Sequence, residues 1–416
     1  MNLQEKISTN TLSHKHPIQR WANFIAGYSI EFVEQCLSSR NKDEDCIIDP
    51  FLGCGTTLVA SKNLGFRGVG FDRHDVFFNL AKAKLSNYSI NELNVIADAI
   101  QNSQEPISWS LDARKYLKKL YSEDNLSAIA KASKTLGSFN SKLQPLAIAF
   151  LLKTCEISCG SQTDGIYKAP TSSKKSIPFR ESLDITFKLF SEDILSKWYQ
   201  SHWIEQPSML CFNKSSTNMI EVKTNSIGMC ITSPPYLNNF DYAEMTRMHL
   251  YILGWASSWG EISKIIRNDL ITNTTTALKN KKTIDYQNQC RDLLPHSLQK
   301  TLKPIVEQLQ IERKNRAGKK DYNYLVYPYY AQIQSVLLEL FRVLKTRGVI
   351  HWVIADAALY GVHIKTHIHT AELMRSIGFK DVKIIFIRKR GHRWKLKKRD
   401  GAEEGLGEYH VIAHKE

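Results

Sequence analysis

Apolar residues along this chain fall into two alternating patterns. Short continuous runs such as Cys46-Ile47-Ile48, Met229-Cys230-Ile231 and Val349-Ile350-His351-Trp352-Val353-Ile354 have the length of buried strands. Between them, residues 58–64, 76–85, 145–157, 245–255 and 330–344 carry apolar residues at helical spacing. Gly68-Val69-Gly70-Phe71 reads as a second strand ending at Asp72, and Asn94-Val95-Ile96-Ala97 as a third ending at Asp98. Residues 370–377 form a further helix stopped by Gly378, followed by strands at 382–387 and 409–413. Those last two strands flank a densely basic stretch, 388–399, and read as a terminal hairpin. The alternation predicts an α/β fold. Its core is a Rossmann-like doubly wound sheet, mostly parallel, with a C-terminal antiparallel hairpin and largely helical insertions.

Other stretches depart from that rhythm. Residues 16–36 have mostly helical apolar spacing. Residues 159–180 are basic and rich in Ser, Gly and Pro with no apolar period, so they predict a loop, with Lys168, Lys174 and Arg180 able to lie along phosphates or simply to face water. Five segments result: a cofactor-binding half over 1–100, an insertion over 101–228 with a DNA-recognition role open to it, a catalytic segment over 229–261, a charged insertion over 262–325 with a DNA-recognition or lid role open to it, and the rest of the core over 326–416.

Two turns carry chemistry. After the first strand comes Asp49-Pro50-Phe51-Leu52-Gly53-Cys54-Gly55-Thr56-Thr57, leading into a helix. Strand, glycine turn and helix N-terminus make a nucleotide-type cradle. Gly53 and Gly55 let the backbone approach a ligand, and Thr56 and Thr57 stand where a helix is capped. The turn lacks the Gly-Lys-Ser/Thr ending of a triphosphate loop. An amino-acid moiety suits it better, with its carboxylate on helix N–H groups and its ammonium on Asp49. Asp72 follows at the spacing that places an acid on ribose hydroxyls, or else it caps the next helix. Asp98 is in position to reach an adenine.

The second turn is Thr232-Ser233-Pro234-Pro235-Tyr236. Two prolines end the strand in a stiff, extended turn. A hydroxyl, a fixed carbonyl and an aromatic face are thereby presented together at a strand's C-terminal edge. If Ser233 Oγ and the Pro234 carbonyl accept both N–H bonds of a base amino group, its nitrogen is drawn toward tetrahedral geometry and its lone pair is freed for attack. Tyr236 can stack on the base, which must first leave the helix stack.

Composition narrows the partners. The net charge of +15 and pI near 9.3 suit a polyanion. In the basic 388–399 stretch, Arg388, Lys389, Arg390 and Arg393 are the candidate phosphate contacts. No apolar run approaches the length of a membrane span, and the N-terminus lacks a signal-peptide core, so no membrane partner and a cytoplasmic location are expected. Cys155 and Cys159 have no second close pair to complete a zinc site, and no metal is expected.

Together the two turns resemble those of the amino-methylating DNA methyltransferases, the N4-cytosine and N6-adenine enzymes. The segment around His16-Pro17 and the part from Tyr327 onward are also similar to that family; the middle of the chain is not. The resemblance implies S-adenosylmethionine held by Asp49, Pro50, Phe51, Gly53, Gly55, Thr56, Thr57, Asp72, Asp98 and Thr232. It implies a flipped base held by Ser233, Pro234, Pro235 and Tyr236, double-stranded DNA as substrate, and room for a cognate restriction endonuclease as partner. Ser233 at the head of the motif points to cytosine N4, with adenine N6 as the alternative. A catalytically inactive nucleic-acid-binding protein of the same fold is the reading from another class. A C5-cytosine enzyme is disfavoured, because the cysteine nucleophile of such enzymes follows a proline and none of the eight cysteines here does.

Overall fold

The computed structural model describes residues 16–22, 27–164, 167–238, 241–267, 270–278, 283–315, 321–390 and 406–416, without the side chains of 162–173, 266–267 and 276. Arg393, the Lys168 side chain, Phe24 and Ile25 lie outside the described residues.

The strands in chain order are β1 Cys46–Asp49, β2 Arg67–Phe71, β3 Ser161–Asp164, β4 Tyr167–Ser173, β5 Leu210–Phe212, β6 Ile227–Thr232, β7 Leu344–Ala355, β8 Ala357–Leu359, β9 Val362–Ile364, β10 Lys380–Lys389 and β11 Gly407–His414. Seven of them form one sheet in the order β10-β11-β7-β6-β1-β2-β5. The five strands from β7 to β5 run parallel, while β11 is antiparallel to both β7 and β10. The mostly parallel α/β sheet with its terminal hairpin is the expected architecture.

Burial explains the continuous apolar runs. All six residues of β6 are buried, as both faces of a parallel sheet are covered. Side chains alternate between the two layers. Ile47, Met229, Ile231, Val349 and Val353 join one core with Leu58, Val76 and Phe150. Ile48, Cys230, Ile350, Trp352 and Ile354 join the other with Tyr330, Leu337 and Met374. Gly70 in β2 permits the close fit beneath the first turn, since a Cβ there would come 2.8 Å from Leu52. Among the described residues no helix is long and apolar enough to cross a membrane.

Several expectations fail for identifiable reasons. Asn94-Val95-Ile96-Ala97 is not a strand. It lies within the helix Ile90–Gln101, which a Ser89–Glu92 capping box starts and which buries Leu93, Ile96, Ala97 and Ile100 at helical spacing. Asp98 therefore sits exposed on that helix, away from the sheet edge. The strand beside β2 is β5, too short to show in the pattern, and it arises within the span expected as an insertion. From that span too, the helix Gln144–Ser158 packs into the core formed around β1 and β6. Residues 159–180 are not simply a loop, because β3 and β4 pair there as a hairpin. Among the described residues of 16–36 there is a short 3-10 turn, Gln19–Trp21, and a helix that starts at Ile30 and runs to Leu37. The helix expected over 330–344 runs from Val326 to Val343, and β7 follows it directly from Leu344. In the charged 262–325 segment, the helix His296–Lys314 turns Leu298, Leu302, Val306 and Leu309 into the core.

Candidate active site

The parallel register of β1 on β6 pairs Ile47 with Met229 and Ile48 with Cys230, so both strands end at the same edge of the sheet. Asp49 ends β1 and Thr232 ends β6. The Thr232 hydroxyl donates to Asp49 Oδ1 at 2.7 Å, and the Phe51 N–H donates to the same oxygen at 3.0 Å. The Thr57 hydroxyl donates to Oδ2 at 2.5 Å and lies 2.7 Å from the Tyr28 hydroxyl. Asp49 is only 3% exposed. Loss of water around it outweighs these hydrogen bonds and pushes its pKa up to about 6.

The glycine turn is held from β2. Asp72 accepts the Gly53 N–H on one oxygen and the His74 N–H on the other, both at 2.7 Å. Desolvation pushes Asp72 up to about 7 against those two bonds, helped by the negative charges of Asp49 and Asp75. The helix Thr56–Asn63 is capped not by a threonine but by Gly55, in the left-handed region at φ 86°. Thr56 and Thr57 are its first two residues. The Thr56 hydroxyl accepts from Gln19 Nε2 at 2.6 Å, which brings the 16–22 segment onto the turn. Asp193, itself 2% exposed, anchors that segment by accepting from the Ile18 N–H and Trp21 Nε1 and pairing with Arg20.

A cleft with about 900 Å³ of empty space opens over this edge. Asp49, Pro50, Phe51, Gly53, Thr56, Thr57 and Asp72 line it, and so do Ser233 and Pro235. The first turn and the Ser-Pro-Pro-Tyr turn thus share one cavity. At its far end Ser233 Oγ donates to the Tyr236 hydroxyl at 3.2 Å, which donates to Glu408 Oε1 at 2.9 Å. The Tyr329 hydroxyl donates to the Pro235 carbonyl at 3.1 Å, steadying the two-proline turn from the opposite layer.

The N6/N4 DNA methylase family model matches residues 4–83, a stretch that includes β1, the glycine turn and β2. Along nearly its whole length the chain is similar to the Type II methyltransferase M.AvaI of a Nostoc species, 23% identical over 93% of this chain and 85% of that protein. M.BsoBI of Geobacillus stearothermophilus is 22% identical over 98% of this chain and 86% of its own. A shorter match, 31% identical over 28% of this chain and 21% of the other, links it to M.MjaII of Methanocaldococcus jannaschii.

The chain is similar to the N6/N4 DNA methyltransferases. S-adenosylmethionine use and a DNA substrate go with that family in general, which covers both amino-group specificities.

Of the cofactor candidates, Gly55, Thr232 and Asp98 do not line the cleft: Gly55 caps the helix beside it and Thr232 bonds to Asp49, whereas Asp98 sits exposed on the separate helix Ile90–Gln101. Tyr236 is 8% exposed and packed in the core, with the Arg390 guanidinium 5.5 Å from its ring centroid. Among the phosphate candidates, Arg388 is already paired with Glu408 at 2.7 Å, whereas Lys174, Arg180 and Lys389 are exposed. Sequence reasoning missed the opposite wall of the cleft. Lys214, Ser215 and Ser216 follow β5, and Leu270 and Ile271 come from the charged segment. A three-residue strand gave no signal to point at the first group. Tyr28 and Phe77 line the cleft as well.

Proposed function

We propose that this enzyme transfers a methyl group from S-adenosylmethionine to the N4 amino group of cytosine in double-stranded DNA. The observation that carries the choice of amine is Ser233. Its hydroxyl proton is committed to Tyr236, so it faces a base amine as a neutral acceptor, the form that the family resemblance associates with cytosine N4. The Pro234 carbonyl, to which no described residue donates, would take the second N–H.

The cleft suits the cofactor. Two carboxylates held there against loss of water are relieved by a cationic or hydroxyl-bearing ligand. Asp49 would take the ammonium, Asp72 the ribose hydroxyls, and the N-terminal N–H groups of the Thr56–Asn63 helix the carboxylate. Bound S-adenosylmethionine supplies an electrophilic methyl group on a sulfonium sulfur. The protein's share is orientation, exclusion of water and polarisation of the amine. We place the enzyme in the cytoplasm, with an endonuclease of matching sequence preference as its partner.

Mild acid depurination separates the two amines. Label transferred from methyl-tritiated cofactor should stay with the polymer after purines are released. Label leaving with the adenine fraction would assign N6 instead.

Cofactor binding should depend on pH. Both carboxylates act as anions, so affinity is full about one unit or more above pH 7 and falls as Asp72 takes a proton near 7 and Asp49 near 6. Calorimetry at pH 8 and pH 5.5 should show binding weakened at least roughly tenfold at the lower value. A flat profile would remove both acids from the ligand.

DNA affinity should follow the β10 edge. Arg388 is paired with Glu408 and Arg390 stands over the Tyr236 ring, whereas Lys389 is exposed at that strand end. Replacing Lys389 by alanine should reduce the slope of log K against log salt by about 1. An unchanged slope would take this edge off the DNA.

A further inference from the structure

We infer that Glu408 acts as a positioning residue and proton acceptor for the transfer, working through Tyr236 on Ser233. This inference rests on the methyl-transfer reading above. The parallel strands β1, β6 and β7 end at the reactive edge, and the antiparallel strand β11 begins there. Glu408, the second residue of β11, is thereby brought to the Ser-Pro-Pro-Tyr turn from the far end of the chain. It is 5% exposed, and its two oxygens lie 2.9 Å from the Tyr236 hydroxyl and 2.7 Å from Arg388.

The direction of this chain of bonds follows from chemistry. An ionised carboxylate only accepts, so the Tyr236 proton points to Glu408. Tyr236 oxygen can then only accept from Ser233, 3.2 Å away. The Ser233 proton is pinned away from the cleft, and its remaining lone pairs are what a base amine meets. The buried negative charge polarises both hydroxyls in series and makes Ser233 a stronger acceptor than a free serine.

The same chain accounts for the proton that must leave. Once the amine nitrogen has gained a fourth bond it is cationic. Its N–H bond breaks and an O–H bond forms at Ser233. The Ser233 proton passes to Tyr236 and the Tyr236 proton to Glu408. The products are a neutral methylated amine and a neutral carboxylic acid, with Ser233 and Tyr236 unchanged. No oxidant, reductant or further reactant is needed. Glu408 returns to its starting form by releasing the proton to solvent.

Two variants separate this from a packing role. Glu408→Gln keeps an oxygen for the Tyr236 hydroxyl but cannot take its proton. Tyr236→Phe keeps the ring and breaks the chain. Each should lower the single-turnover transfer rate about 100-fold, with cofactor and DNA affinities held within a few-fold of the parent. The double variant should be no slower than the slower single one, as for groups acting as a unit. An independent readout needs no cofactor. Difluorotyrosine placed at position 236 and followed by fluorine NMR should ionise at higher pH in the parent than in Glu408→Gln, because the carboxylate's charge opposes phenolate formation. A Glu408→Gln rate within about threefold of the parent, below the effect expected of an acid–base group, would overturn the inference, as would identical titrations. A parent enzyme that transfers no methyl group to DNA would instead overturn the reading beneath it.

Discussion

Replacing Asp49 by asparagine should weaken S-adenosylmethionine binding by about two to three orders of magnitude, measured by calorimetry at pH 8. Asp49 is the only acid at the end of β1, and its two oxygens gather donors from Thr232, Phe51 and Thr57. An amide there would turn an NH₂ group toward one of those hydroxyls, leaving two donors facing each other in a site almost closed to water. It would also remove the negative charge proposed to meet the ammonium. The loss should be confined to binding. Raising cofactor concentration above the new Kd should restore much of the transfer rate, and the thermal transition should move little, because the parent carboxylate already carries a desolvation penalty. Parent-like affinity in Asp49→Asn would mean that the methionine end lies elsewhere.

The second large effect belongs to Ser233. Ser233→Ala should lower the single-turnover methyl transfer rate about 100- to 1000-fold, the range typical for loss of one aligned polar group in an active site. Cofactor affinity should stay near the parent value. In the described structure the Ser233 side chain bonds only to Tyr236, and the Asp49 network is built without it. The two substitutions therefore predict opposite splits: Asp49→Asn acts on binding and Ser233→Ala on the chemical step. If Ser233→Ala weakens cofactor binding as strongly as it slows transfer, the two turns are not the separate devices described here.

The readability of this protein from its sequence varies by region for physical reasons. β1, β6 and β7 are buried on both faces, and such strands write themselves as unbroken apolar runs. The glycine turn and the two-proline turn were legible because backbone geometry restricts which residues fit. Asp98 misled because Val95 and Ile96 are adjacent and β-branched, while the helix they belong to is set by a capping box and by Leu93, Ile96 and Ile100 on one face. β5 could not be seen, since three residues show no period and its partner β2 is far away in the chain. Glu408 was invisible for a related reason. Nothing near Gly407 marks a functional acid, and its importance arises only when an antiparallel strand is laid beside β7. Tyr236 was recognised as a motif residue, but the hydroxyl's burial against Glu408 is a tertiary fact that no local pattern carries.

The claim on which the rest depends is that an exocyclic base amine accepts the methyl group at Ser233. Unmethylated DNA treated with the enzyme and methyl-deuterated cofactor can be digested to nucleosides and analysed by mass. The account predicts a single labelled product, N4-methyldeoxycytidine, absent when Ser233→Ala replaces the parent. Label on cytosine C5, on phosphate or sugar, or on no nucleoside at all would contradict it.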